Sequence, residues 1–300
     1  MSKVKKQSLI AQEPLIILLS TPLIAGVLLV SVLPTILGAL TSLTDLELSY
    51  VIQWNFVGLE NFGSALSDSR FLESFRIGAI WALSVTVLAM ILGFTLALLI
   101  ERRKYYSPIL KILAVFPWAL SPVIIAIIWD MLLNPNSGPI TGYLRKYELP
   151  GANVSLLYNL NTALPTVIVI GAWLSLPVVT ISFLAALKTI PREMIEAALI
   201  DGTSASQRMR LLIIPQLRPI ITALVALNII WNFNSFGLIF VLTNGGPGGR
   251  TYLPGLFVYE ESFRYGNFGY AAALGMIITI VLVIILGIYV ATRNRNEVEA

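Results

Sequence analysis

The 300-residue chain is 57% apolar and only 12% charged, where an ordinary soluble domain carries about 25% charged residues. That balance cannot furnish a soluble surface, so much of the chain must face lipid. A net charge of only +4, with basic residues at segment ends, argues against nucleic-acid binding; the absence of Cys and His excludes disulfides, thiolate or histidine catalysis and Cys/His zinc sites.

In chain order, Lys3, Lys5 and Lys6 precede an apolar run from about Leu15 to Leu40. The run is too long for a signal peptide and reads as an uncleaved first span. Five further stretches reach the length of about 20 apolar residues that a helix needs to cross a bilayer: Ser74–Ile100, Ile109–Leu133, Ala163–Leu187, Ile220–Leu242 and Phe268–Ala291. They are too long and continuous for the strands of a membrane barrel. The chain therefore reads as an all-α integral membrane protein, a six-helix bundle.

Lys and Arg set the orientation. With the N-terminus in the cytoplasm, fourteen of the twenty basic residues fall on the cytoplasmic side. These are Lys3, Lys5, Lys6, Arg102, Arg103, Lys104, Lys111, Lys188, Arg192, Arg208, Arg210, Arg218, Arg293 and Arg295. Both termini are expected inside, with Lys188–Arg218 as the longest cytoplasmic loop. The outer loops Thr44–Glu73, Asn134–Thr162 and Thr243–Asn267 are too short for a separate domain of usual size. Residues 1–300 read as a single transmembrane domain with a core from about residue 73 to 292.

The loop of residues 188–216 is unusually well specified. Pro191 suits the first turn of a helix. Glu193 and Glu196 place negative charge near its positive end, and Ala197, Ala198 and Leu199 favour helix. Gly202 fits the left-handed residue that ends a helix. Ser204 with Gln207 reads as a capping box opening a second helix. Pro215 is expected to end that helix, and Pro219 to start the next span. The sequence predicts two short helices joined by a glycine turn, with small residues that permit close approach by a partner.

Glu196-Ala197-Ala198, then Gly202, then Pro215 after an apolar stretch, resembles the "EAA" signature of ABC importer permeases. The run from Ile190 to Gln207 is most similar to the carbohydrate-uptake branch. Phe56–Phe62 and Leu242–Pro247 also resemble stretches common in sugar permeases. The resemblance implies the type I (MetI-like) permease fold and a bacterial inner-membrane, multi-pass location. It implies that Glu196, Ala197, Ala198, Asp201, Gly202 and Pro215 couple to an ATPase subunit. It further implies a second permease forming a hetero-dimer, two ATPase subunits, an extracytoplasmic solute-binding protein or lipoprotein, and a carbohydrate solute. Long inserted domains and extra N-terminal helices found in several relatives are missing here.

No Gly-Lys pair exists in the chain, so the phosphate-cradling G-x-x-x-x-G-K-[ST] loop has no match. No cofactor is therefore expected in this chain, with ATP and Mg held by the partner ATPase and hydrolysis occurring there. Glu260 and Glu261 read as solvated rim charges.

Polar side chains within spans normally face the bundle interior or a water-filled path. The fifth span is richest, with Asn228, Trp231, Asn232, Asn234 and Ser235. Asn228, Asn232 and Ser235 at i, i+4, i+7 would share a face. Amides there, with Trp231 or Phe236, would suit a sugar path; the same amides would equally serve helix–helix hydrogen bonding. Trp173, Ser175, Pro177, Thr180 and Ser182 mark the fourth span, with a kink expected at Pro177. Pro117, Trp118, Ser121 and Pro122 mark the third. Asp130 lies near its outer end, as an interfacial residue or an intramembrane ion ligand. Ala271 and Gly275 form a small-x-x-x-small pair suited to tight packing. The rival readings are a permease for another solute class and an ion-coupled secondary transporter. The second would need mid-span carboxylates, and none is present.

Overall fold

The computed structural model describes residues 20–48, 52–102, 107–149, 151 and 154–298. Lys3, Lys5, Lys6, Leu15, Arg103 and Lys104 lie outside the described residues. Contacts divide the chain into two compact units. One comprises the described residues up to Ser67 with Val258–Ile277; the other comprises Asp68–Phe257 with the residues from Ile278.

The first unit opens with α1 (Ser20–Thr41), whose most apolar stretch has no residue buried within the chain. A short antiparallel pair follows, β1 (Glu47–Leu48) with β2 (Ile52–Gln53), and then α2 (Glu60–Ser67). The stretch Phe56–Phe62 wraps the end of α1. Val57 N and Gly58 N both donate to the Leu43 carbonyl, at 2.9 and 3.1 Å. Asn61 Nδ2 donates to the carbonyls of Ser42 and Thr44 at 3.0 and 2.8 Å. These bonds satisfy the carbonyls of the turn that follows α1. Gly269 N donates to Leu46 O at 2.9 Å. A Cβ on Gly269 would sit 2.0 Å from Thr44 O, so only glycine fits.

The second unit is built on two long helices, α3 (Ser69–Arg102) and the later α7 (Ala163–Leu187). Between them lie α4 (Ser107–Val115, extended by a tight turn Phe116–Ala119), α5 (Pro122–Leu132) and α6 (Pro139–Lys146). The buried residues of α3 recur every three to four positions, through Gly78, Trp81, Val85, Ala89, Gly93 and Ala97, the period of one helix face. Small residues let α7 approach that face. A Cβ on Gly93 would stand 2.6 Å from Val179 Cγ1, and one on Gly171 would stand 2.5 Å from Trp81 Cη2. Close backbone approach of this kind is how helices associate where lipid offers no hydrophobic drive. Helix α7 runs through Pro177 without interruption.

After α7 come α8 (Arg192–Ile200), α9 (Ala205–Phe233), α10 (Gly237–Leu242) and α11 (Pro254–Tyr259). Last is α12 (Phe268–Val298). Among the described residues five helices are long and apolar enough to cross a membrane; the expected third span is instead a bent pair, α4 and α5, meeting at 105°. The cause is local. Leu120 and Ser121 are extended (ψ 145° and 151°). Pro122 disfavours helix at the preceding residue and itself supplies the first position of the next.

The fifth span is also corrected. Its helix begins at Ala205, not Ile220, and stops at Phe233, with a break before α10. Asn234 and Ser235, whose side chains compete with helical bonding, sit in the break. Neither Pro215 nor Pro219 ends or starts a helix. A widened helical turn at Met209–Ile213 ends two residues before Pro215 and accommodates its ring within α9. Pro191 stands one residue ahead of α8 rather than in its first turn. Glu261 is no rim charge: it is 5% exposed and accepts from Asn267 Nδ2 at 2.9 Å. Ala271 is buried, but a Cβ on Gly275 would meet nothing within 4 Å, so the expected close approach is not made there within this chain.

Candidate functional site: a loop turn and a cavity joined by one helix

The loop has the expected glycine turn. Gly202 has φ +71°, and the N–H groups of Gly202 and Thr203 donate to Leu199 O and Ala198 O at 3.0 and 3.1 Å. This is the paired Schellman arrangement that closes a helix through a left-handed residue. Thr203 Oγ1 adds a bond to the same Ala198 carbonyl, and Arg208 Nη1 donates to Thr203 O. Ser204 and Gln207 complete the capping box in both directions, at 3.2 and 2.7 Å. Gln216 Nε2 reaches Met194 Sδ at 3.3 Å, tying α8 to α9.

Glu196, Ala197, Ala198, Asp201 and Gly202 are thus gathered on one turn. Pro215 stands apart from them, further along α9. Ala198 is half-buried; the other four are exposed. Ile200 is 87% exposed, and its neighbour Leu199 is exposed as well. Apolar side chains on a rigid, doubly capped turn form a surface suited to burial by a partner.

A cavity of about 400 Å³ lies in the second unit. Asn228, Trp231, Asn232 and Ser235 all line it, so the structure brings together the four residues expected on the solute path. The reason differs from the expected helix face. Ser235 lies beyond the end of α9, in the break, and joins the others because the chain turns back: Ser235 N donates to Asn232 O at 2.9 Å. The rest of the lining comes from the other break, with Trp118, Leu120 and Pro122, and from the middle of α7, with Leu174, Ser175 and Val178. Non-helical backbone at membrane depth is tolerated where it lines a cavity or is buried in protein, and both helix breaks meet at this one.

Trp118 and Ser175 complete the site without having been singled out for it. The signal was the Pro117 and Pro122 pair, which marks interrupted helix. Phe236 is not in the lining; it stacks on Phe240, with ring centroids 5.0 Å apart. Asn228 and Asn232 are 2% and 9% exposed, while the rings of Trp118 and Trp231 are 58% and 57% exposed. Asn228 Nδ2 donates to Leu224 O at 2.9 Å, and Asn232 Nδ2 to Asn228 O at 2.8 Å. Every lining side chain is neutral, so the cavity is equipped to bind and not to transfer protons. Among the described residues no cluster of three or more carboxylates suits a metal.

Asp130 accepts from the Tyr158 hydroxyl at 2.7 Å. That hydrogen bond to a carboxylate, with some burial, pushes the Tyr158 phenol up to about 12. Asp45, in the outer loop, accepts from Asn55 through both its side-chain and backbone N–H, and these bonds hold its carboxyl below the usual range.

Residues 89–296 match the family described as binding-protein-dependent transport system inner membrane component. The chain belongs to that family. This permease is 31% identical, over 79% of its length and 82% of the relative's, to a probable ABC transporter permease of Brucella suis biovar 1. It is 30% identical over 89% of both chains to the trehalose/maltose transport system permease protein MalF of Thermococcus litoralis. A crystal structure of a bacterial ABC transporter involved in import of the acidic polysaccharide alginate contains a chain of the same fold. The TM-score is 0.81 at 19% identity, covering 97% of this permease and 99% of that chain. As an ABC importer permease it is an inner-membrane, multi-pass protein.

Proposed function

We propose that this permease forms half of the translocation path of an ATP-driven carbohydrate importer. A second permease subunit supplies the other half, an extracytoplasmic binding protein delivers the solute, and two separate ATPase subunits bind and hydrolyse ATP. Both termini and the Lys188–Arg218 loop face the cytoplasm. The Leu199–Gly202 turn docks on an ATPase subunit, with Glu196, Ala197, Ala198 and Asp201 shaping the contact.

The observation that carries this reading is that one helix links both sites. Helix α9 spans 29 residues from the capping box to the cavity, roughly 43 Å at 1.5 Å per residue. A tilt imposed at Ala205 is therefore felt at Asn228, Trp231 and Asn232. Nucleotide shifts the equilibrium only if it binds the two states with different affinity. The match to sugar-permease relatives supports a carbohydrate as the solute. Indole rings offer flat apolar faces to the C–H faces of a pyranose, and amides offer partners to its hydroxyls.

The test is uptake of labelled saccharides by cells carrying Trp231→Ala or Asn232→Ala, beside recovery of the assembled complex. Transport should fall with assembly intact. Normal transport with a less stable complex would assign the amides to helix packing instead.

A further inference from the structure

Resting on the importer reading above, we infer that the cavity takes an uncharged, hydroxyl-rich solute and discriminates against uronates and phosphate esters. The first ground is the lining itself. It consists of Trp, Asn, Ser, Leu, Val and Pro, with no Lys or Arg to pair an anion. A carboxylate or phosphate brought there would lose hydration without a compensating charge, a cost that burial imposes on any unpaired ion.

The second ground is which atoms the amides present. Asn228 Nδ2 and Asn232 Nδ2 each face a backbone carbonyl, at 2.9 and 2.8 Å. A carbonyl only accepts, so these contacts fix the nitrogen there and the oxygen on the other side. Among the described residues neither Oδ1 takes a hydrogen bond. Each is an acceptor, which welcomes a sugar hydroxyl and repels an acceptor-only anion.

The third ground weakens the obvious source of positive potential. The N-terminal end of α5 reaches the cavity at Pro122. Pro122 has no N–H. Ser121 Oγ accepts from Ile124 N at 3.3 Å, and Ser121 O accepts from Ile125 N at 3.0 Å. The end is capped at Ile124 and Ile125, leaving the N–H groups of Ser121 and Val123 without an intrahelical partner.

The experiment supplies cells that have or lack this permease with a mixed hydrolysate of starch and alginate plus sn-glycerol 3-phosphate. Mass spectrometry reads which solutes depend on the chain for uptake. Chain-dependent uptake confined to neutral saccharides is the expected result. Chain-dependent uptake of uronate oligomers or glycerol phosphate would overturn the inference and leave the importer reading standing. No chain-dependent uptake of any saccharide would overturn both. A second arm uses Ser175→Lys, with membrane levels checked by immunoblot. Neutral-sugar uptake should fall about tenfold or more, the effect of losing roughly 1.4 kcal/mol of binding. Neutral-sugar uptake unchanged at normal membrane levels would contradict the placement of the solute in this cavity.

Discussion

Trp81 donates its indole N–H to the main-chain carbonyl of Asn232 at 2.9 Å, joining residues 151 positions apart in sequence. The same carbonyl accepts from Ser235 N where α9 breaks. One buried oxygen therefore fixes both the helix end that lines the cavity and its place against α3. Trp81→Phe keeps the bulk and removes the donor. It should cost about 1 kcal/mol, because one buried bond is lost while Ser235 N remains. Thermal unfolding of the purified complex should start a few degrees lower, with weaker uptake. An unchanged melting curve would show that the bond contributes nothing.

The glycine beneath that indole gives a sharper packing test. A Cβ on Gly171 would fall 2.5 Å from Trp81 Cη2, in a place where the ring is buried. Gly171→Ala should destabilise by about 1–3 kcal/mol, the range for overpacking a filled core. Gly275→Ala meets nothing within 4 Å and should be neutral or gain up to about 1 kcal/mol from helix propensity. Equal melting temperatures for the two variants would refute the packing assigned to α3 and α7.

The loop between α7 and the fifth span was legible because its determinants are local. A left-handed glycine, a Ser and Gln three residues apart, and a run of helix formers act within a few positions of one another. The break at Leu120–Ser121 left a trace in Pro122, yet hydropathy averaged over twenty residues passes straight through it. The second break was harder to see, since Phe236–Leu242 is as apolar as the helix before it. Ser235 was placed on the right site by a helix-face argument that does not hold there; the turn back to Asn232 does the work. Nothing local to Glu261 marks it as buried, because its partner Asn267 lies around the following turn. The Trp81 bond to Asn232 belongs wholly to tertiary structure.

Tyr158 supplies a pH prediction. Its phenol is pushed up to about 12 by its bond to Asp130. The folded pKa lies above the ordinary value of about 10, so the contribution is complete below pH 10 and is lost as pH rises through 12. Ultraviolet difference titration of wild type against Tyr158→Phe should show one tyrosinate appearing late, near pH 12. A difference spectrum with its midpoint near pH 10 would mean the bond does not form.

Orientation is testable without any transport assay. In the orientation proposed above Ser204 lies in the cytoplasm, and its side chain is exposed. In this Cys-free chain, Ser204→Cys should react with a membrane-impermeant maleimide in inside-out vesicles and stay unlabelled in intact spheroplasts. Labelling from outside would invert the topology.

The Gly202 turn carries the central claim, that this loop transmits ATPase movement to the cavity. Its φ of +71° strains any residue with a Cβ, typically by about 1–2 kcal/mol, yet a Cβ there would meet nothing of this chain within 4 Å. Gly202→Val therefore harms the permease alone only slightly, and any large loss must arise at a partner. The decisive measurement is saccharide uptake by Gly202→Val cells, read beside co-purification of the ATPase and its solute-stimulated hydrolysis. The permease should reach the membrane in normal amount while uptake falls at least tenfold and hydrolysis no longer responds to solute. Normal uptake with hydrolysis still coupled to solute would contradict the claim and remove the loop from the transport cycle.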